Sequence, residues 1–281
     1  MHPQYRPDID GLRAIAVLSV VIFHAFPDLM PGGFIGVDIF FVISGFLICT
    51  IIFGNLKQNS FSIINFYLRR IRRIFPALII VLISSWAIAW FALLPEEFKS
   101  LGKYILGGAG FVSNLVLWNE SGYFDAFSNS KPLLHLWSLG IEEQFYLIWP
   151  LLMWPALRMR ITLINVTVAI LIISFTFNIT FISSASIAIF YSPITRVWEL
   201  LLGAVLAWLL LSKQQSGKTP AQGSIDSLNL RQKNVLASLG LASSALSLIL
   251  ISEASAFPGW VGSPACCWCN SIAFFRPKRL D

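Results

Sequence analysis

The run RAIAVLSVVIFH, residues 13–24, is apolar between its ends except for Ser19, and is closed by Arg13 on one side and His24 on the other. Eleven positions at 100° each make three turns plus about 20°, so a helix here carries both ionisable side chains on one face. At 1.5 Å per residue they stand ~16 Å apart along the axis, roughly half a hydrocarbon thickness. A neutral imidazole takes a proton from a hydroxyl and later returns it, which makes His24 a candidate general base. Arg13 on the same face suits a phosphate or a carboxylate. The alternative is topological, with Arg13 as a flanking positive charge and His24 as an interfacial helix end.

Four further segments place charge where apolar surroundings make it costly. GGFIGVDIFFVISGFLI, residues 32–48, sets Asp38 inside a hydrophobic run, while Gly32, Gly33, Gly36 and Gly45 permit close helix contact. Asp38 is expected to face the bundle interior, either as a functional carboxylate or in a structural bond to a neighbouring helix or to Arg13. FYLRRIRRIFPAL, residues 66–78, holds Arg69, Arg70, Arg72 and Arg73. The pairs 69/72 and 70/73 each share a helical face and can grip phosphates in bidentate fashion; a stop signal on anionic lipid headgroups is the alternative. KPLLHLWSLGIEEQFYLIWP, residues 131–150, offers His135, Ser138, Glu142 and Glu143. His135 and Ser138 share a face with Glu142, whereas Glu143 points elsewhere, so at most one of the two acids is expected in a given cavity. In TRVWELLLGA, Arg196 and Glu199 lie one turn apart, as an intrahelical ion pair would.

The elements that must carry these groups are membrane helices. The 281 residues are 56% hydrophobic and only 12% charged, with a mean hydropathy of +0.73, which excludes a soluble globular domain of ordinary composition. Apolar runs near 34–54, 74–94, 139–157, 161–182, 194–212 and 235–252, with a shorter one near 11–27, predict an all-α bundle of seven or eight spans. With the N-terminus inside, seven spans put Arg6, Arg13, Lys57, the Arg69–Arg73 cluster, Arg158, Arg160, Lys213, Lys218, Arg231 and Lys233 on the cytoplasmic side. Only Lys99, Lys103, Lys131 and Arg196 fall outside, as the positive-inside rule demands. Counting the Gly-rich stretch 103–118 as a span breaks this pattern, so a non-spanning role is expected for it. The net charge of +6 is explained by this topology, and no nucleic acid partner is expected. Cys49 and the cluster Cys266, Cys267 and Cys269 lack zinc spacing, so no metal is expected.

In this order the segments resemble the acyltransferase 3 family of bacterial membrane proteins, over about residues 4–260. The resemblance rests on YRPDIDGLRAIAVLSVVIFH, GGFIGVDIFFVISGFLI, the Arg-x-x-Arg element of LRRIRRIFPAL, and HLWSLGIEEQFYLIWP. It implies a multi-pass protein of the bacterial inner membrane that moves an acyl group, often acetyl, from acyl-CoA to a hydroxyl of a surface or lipid-linked glycan such as O-antigen. No bound cofactor is implied. His24 and Arg13 match the family's essential pair, and Arg69 and Arg72 its donor-side basic motif, with Arg70 and Arg73 beside them. Glu142 and Glu143 join the catalytic candidates; Asp38, His135, Ser138, Arg196 and Glu199 are expected to contact substrate. His24 either deprotonates the acceptor or carries the acyl group. A transporter or flippase of acylated or lipid-linked glycan, or an inactive fragment, is the alternative. The family has about ten spans, and many relatives add an extracytoplasmic hydrolase-like domain. Residues 1–260 are therefore expected to form an incomplete transmembrane domain, followed by a divergent tail, 261–281.

Overall fold

A computed structural model describes residues 6–58, 60–120, 131–158, 162–216 and 230–251. The tail 261–281 and its three cysteines lie outside the described residues, as does the whole 254–275 stretch whose spanning the sequence leaves open. Among the described residues all regular structure is helical: α1 (Pro7–Ala25), a 3-10 turn (Gly33–Ile35), α2 (Gly36–Lys57), α3 (Ile63–Ala92), α4 (Pro95–Ala109), α5 (Ser113–Glu120), α6 (Leu136–Arg158), α7 (Leu163–Phe181), α8 (Ser186–Tyr191), α9 (Pro193–Ser216) and α10 (Leu230–Leu250). The protein is an all-α, multi-pass membrane protein.

Among the described residues, four stretches are long and apolar enough to cross a bilayer by length and composition: Gly33–Leu56, α3, α7 and Pro193–Ser212. Helices α1, α6 and α10, of 19, 23 and 21 residues, have comparable length but carry more polar side chains. The 103–118 stretch is divided between α4, of 15 residues, and α5, of 8, both shorter than the ~20 residues a crossing requires. Between them Phe111 takes a left-handed conformation, φ 55°, which turns the chain sharply after Gly110.

The core is built on α2 and α9. Gly45 lies against the backbone of Leu200, and Gly203 against Val42 and Phe46, so a β-carbon on either glycine would overlap the facing main chain. This small-residue contact is the membrane-helix device that compensates for the weak hydrophobic drive between helices in lipid. Phe41, Phe53, Ile48, Ile52, Leu200, Leu201 and Ala204 fill the space around it. Gly36 brings α1 up in the same way, against Ala16 and Ser19. By contrast α3 and α7 show apolar flanks, including Ile80, Ile83, Ile88 and Phe91 on α3 and Ile172, Ile173 and Phe177 on α7. Such flanks suit lipid tails. At 30 residues α3 is ~45 Å long, well beyond a ~30 Å hydrocarbon layer, so its first turns with the four arginines can stand outside the hydrocarbon.

The segment before α6 is tied to α4 and α5 by Glu120. Its carboxylate takes Lys103, the hydroxyl of Tyr104 at 2.7 Å and Lys131 at 3.7 Å. Burial alone would raise the Glu120 pKa, but the hydrogen bonds from Lys103 and Tyr104 and the charges of Lys103 and Lys131 outweigh it and hold the group below its ordinary value. Deeper in, Gln144 of α6 donates to the Phe111 carbonyl at 2.8 Å and to Asn114 Oδ1 at 2.9 Å, while Asn114 donates to the Tyr191 carbonyl at 3.0 Å. This chain of amides sets α6 against α5 and α8.

Candidate active site

His24 stands in the last turn of α1, which ends at Ala25 just before Pro27. Its Nδ1 lies 2.8 Å from the carbonyl of Val20, four residues back. A carbonyl only accepts, so in the neutral ring Nδ1 carries the hydrogen and Nε2 the lone pair. The ring is flanked by Phe23, with centroids 5.0 Å apart at 84°, and by His135, at 4.4 Å and 79°. His135 comes from the segment leading into α6, and no local signal in the sequence pairs it with His24. Partial burial, with a smaller contribution from the charge of His24, holds the His135 pKa below the ordinary histidine value. Ser138 is bound locally, donating to the His135 carbonyl at 3.3 Å.

Three turns back along α1, Arg13 leans over the Phe40 ring at 5.5 Å and lies 4.0 Å from Asp10. Its positive charge makes a small electrostatic contribution at Glu142. Glu142 is 6% exposed; it accepts from the hydroxyl of Tyr146 at 3.1 Å and is hydrogen-bonded to Ser44 of α2. Arg70 completes this cluster, with its guanidinium 4.4 Å from the centroid of the Tyr146 ring and electrostatically coupled to both Glu142 and Glu143. The two acids leave the helix in different directions, as expected, yet Arg70 bears on both. Tyr67, one turn before Arg70 on α3, donates to the Leu147 carbonyl at 2.6 Å and fastens α3 to α6 close to Pro150.

The four arginines of α3 therefore divide. Arg69, Arg72 and Arg73 are exposed, and Arg70 alone is partly buried against α6. Periodicity relates Arg70 to Arg73 but does not say which arginine turns inward. Ser44 and Tyr67 were likewise beyond sequence reasoning, because their partners lie on other helices.

Asp38, Arg196 and Glu199 form a separate unit, each with a fully buried side chain. Arg196 Nη2 donates to Asp38 Oδ1 at 2.6 Å, and Nη1 lies 3.2 Å from Glu199 Oε1. The rings of Phe41, Trp137 and Phe190 surround the guanidinium at 5.6–5.7 Å. Of the structural partners considered for Asp38, the neighbouring helix α9 supplies the bond, and Arg13 does not. The three side chains are turned on one another, with none of their surface open to solvent.

The arrangement thus has two polar levels on the α1–α6 side: an imidazole pair at the His24 end and, about three helical turns away, the Arg13, Ser44, Glu142, Tyr146 and Arg70 cluster. The upper level can accept a proton, and the lower can hold an anionic group through its two guanidinium groups.

A sequence profile of an acyltransferase domain matches residues 6–275. The peptidoglycan O-acetyltransferase OatA of Listeria monocytogenes is 36% identical over 213 residues, 73% of this chain and 34% of that protein. YrhL of Bacillus subtilis is 35% identical over 226 residues, 76% of this chain and 35% of its own length. The O-acetyltransferase OatA of Staphylococcus aureus is 35% identical over 216 residues, covering 74% and 35%. The chain spans about a third of the length of these curated relatives. No solved structure matches.

Proposed function

Because the chain belongs to the acyltransferase family, we propose that it is a membrane O-acetyltransferase that moves an acetyl group from acyl-CoA to a hydroxyl of a cell-surface glycan. The observation that carries this reading is the state of His24: with Nδ1 bound to the Val20 carbonyl, Nε2 is left as the basic nitrogen at the end of a short helix. In the proposed step, Nε2 takes the proton of the acceptor hydroxyl while that oxygen attacks the thioester carbonyl. The carbon–sulfur bond breaks, and the CoA thiolate leaves and recovers the proton from the imidazolium. In the second available route His24 first accepts the acetyl group itself.

The arginines of α3 lie on the cytoplasmic side in this reading, in the cell membrane with the N-terminus inside. Arg69, Arg72 and Arg73, exposed, meet the phosphates of the donor, while Arg70 and Arg13 face Glu142 at the lower level. The ~16 Å between Arg13 and His24 is the distance over which the donor's pantetheine arm carries the thioester into the bundle. The Asp38–Arg196–Glu199 unit holds α2 to α9 and so sets the wall of that path. Since the Listeria relative is named a peptidoglycan O-acetyltransferase, the reading favours a peptidoglycan sugar over O-antigen as acceptor.

The test is ester-linked acetate on muropeptides, measured by mass spectrometry in a deletion strain complemented with the chain or with its His24→Ala variant. Acetate restored by the first alone supports the reading. Full acetylation with His24→Ala would remove His24 from the chemistry, and acetate restored by neither would remove the activity from this chain.

A further inference from the structure

We propose that His135 is the positioning residue for His24: packed edge-to-face on the His24 ring, it keeps the imidazole in the orientation that offers Nε2 as the reacting nitrogen. The inference rests on the role proposed for His24 and adds a second residue to it.

The contact is close, with centroids 4.4 Å apart and planes at 79°. The Val20 carbonyl alone leaves the His24 ring free to swing about χ1 and χ2, at the cost of one exposed hydrogen bond. Phe23 and His135 give the ring neighbours besides that carbonyl, and Phe23 is itself set against Phe34 at 5.5 Å. His135 is in turn held by its own backbone. Leu133, two residues earlier, sits at φ 61°, a conformation that side chains other than glycine, asparagine and aspartate seldom adopt. Ser138 holds the His135 carbonyl, and Lys131 at the start of the segment is tied to Glu120. Such a backbone conformation persists only where the surroundings over-determine it, and here it aims a side chain at the end of α1.

Charge favours the same assignment. Two imidazolium ions at this separation repel, so the pair holds one proton far more readily than two. Burial keeps the His135 pKa low, with the His24 charge as the lesser cause, so His135 packs on the His24 ring as a neutral imidazole. Among the described residues, the other ionisable groups of the neighbouring segments are engaged or exposed. Asp28 after α1 is exposed, Lys131 is bound to Glu120, and Asp38 of α2 is closed onto Arg196 of α9.

The experiment combines kinetics with nitrogen-15 NMR of the histidine-labelled full chain in detergent, which is tractable because the sequence has three histidines, His2, His24 and His135. His135→Gln removes the ring, and His135→Phe keeps a ring that cannot titrate. The expected result for His135→Gln is a ten- to hundredfold loss of kcat, with the KM for acetyl-CoA within twofold, the scale of a misplaced catalytic group. Its His24 resonances should move from the Nδ1–H form toward a tautomer mixture. His135→Phe should retain the Nδ1–H form and most of kcat. Unchanged kcat and an unchanged His24 tautomer in His135→Gln would overturn the inference, as would an inactive His135→Phe whose His24 tautomer is intact. If His135→Gln does not fold, a His24 tautomer altered in His135→Phe overturns it and a retained one supports it. Should the wild-type chain transfer no acetate, the enzymatic reading fails by itself, and the tautomer comparison still decides whether His135 positions His24.

Discussion

Replacing Arg196 by methionine strands two carboxyl groups in the core of the helix bundle. Arg196 is fully buried between Asp38 at 2.6 Å and Glu199 at 3.2 Å, so the substitution keeps side-chain volume but removes the cation both acids face. Breaking a buried ion pair by deleting one partner costs about 3–5 kcal/mol, because the remaining charge is left without solvent or counter-charge. At roughly 2–4 °C per kcal/mol for a chain of this size, the expected fall in Tm is on the order of 6–20 °C. The lost contacts to Phe41, Trp137 and Phe190 act in the same direction, since a desolvated cation over aromatic rings is stabilising. The assay is thermal unfolding of the purified chain in detergent, followed by size-exclusion recovery. A triple variant, Asp38→Asn with Arg196→Met and Glu199→Gln, removes all three charges and should recover most of the loss, because an uncharged replacement of a buried ionic group is often close to neutral. A single variant within 2 °C of wild type would refute the reasoning, and so would a triple variant as unstable as the single one.

Other consequences can be measured on the same preparation. Arg70→Ala should lower acetyl transfer well below the effect of Arg69→Ala, by tenfold or more, because only Arg70 turns into the bundle onto Tyr146, Glu142 and Glu143; equal effects would show that burial does not distinguish the two. Gly45→Ala places a methyl group against the Leu200 main chain and should destabilise by at least the ~1–3 kcal/mol typical of overpacking, read as reduced recovery of folded protein. Glu120 has a depressed pKa in the folded chain, so its contribution is present above the ordinary value of 4.5 and is lost as pH falls through and below it. The Tm difference between wild type and Glu120→Gln should therefore shrink below about pH 4.5 and be constant near neutrality. For His135 the sign is opposite: its folded pKa lies below 6.5, so the unfolded chain takes up the proton first and stability falls as pH drops below 6.5. His135→Gln should lack that part of the slope.

Much of this protein is legible in its amino-acid sequence. The all-helical membrane class follows from apolar run length, because a bilayer of fixed thickness demands ~20 helical residues and no other open backbone arrangement survives in it. The common face of Arg13 and His24 follows from helical periodicity, and the ion pair between Arg196 and Glu199 from their one-turn spacing. Gly36 and Gly45 announced close helix contact, which α1 and α9 supply. What tertiary structure decided is which distant residues meet. Nothing within reach of residue 24 points to residue 135, and the contact between their rings depends on the turn at Leu133 and on the amide chain that seats α6. Arg196 closes on Asp38 across 158 positions of sequence because Gly45 and Gly203 let α2 and α9 approach backbone to backbone. Of four arginines in five positions, only packing against Tyr146 selects Arg70. Local rules act over one or two turns of chain, and side chains from different helices meet only where packing has set the distance between the helices.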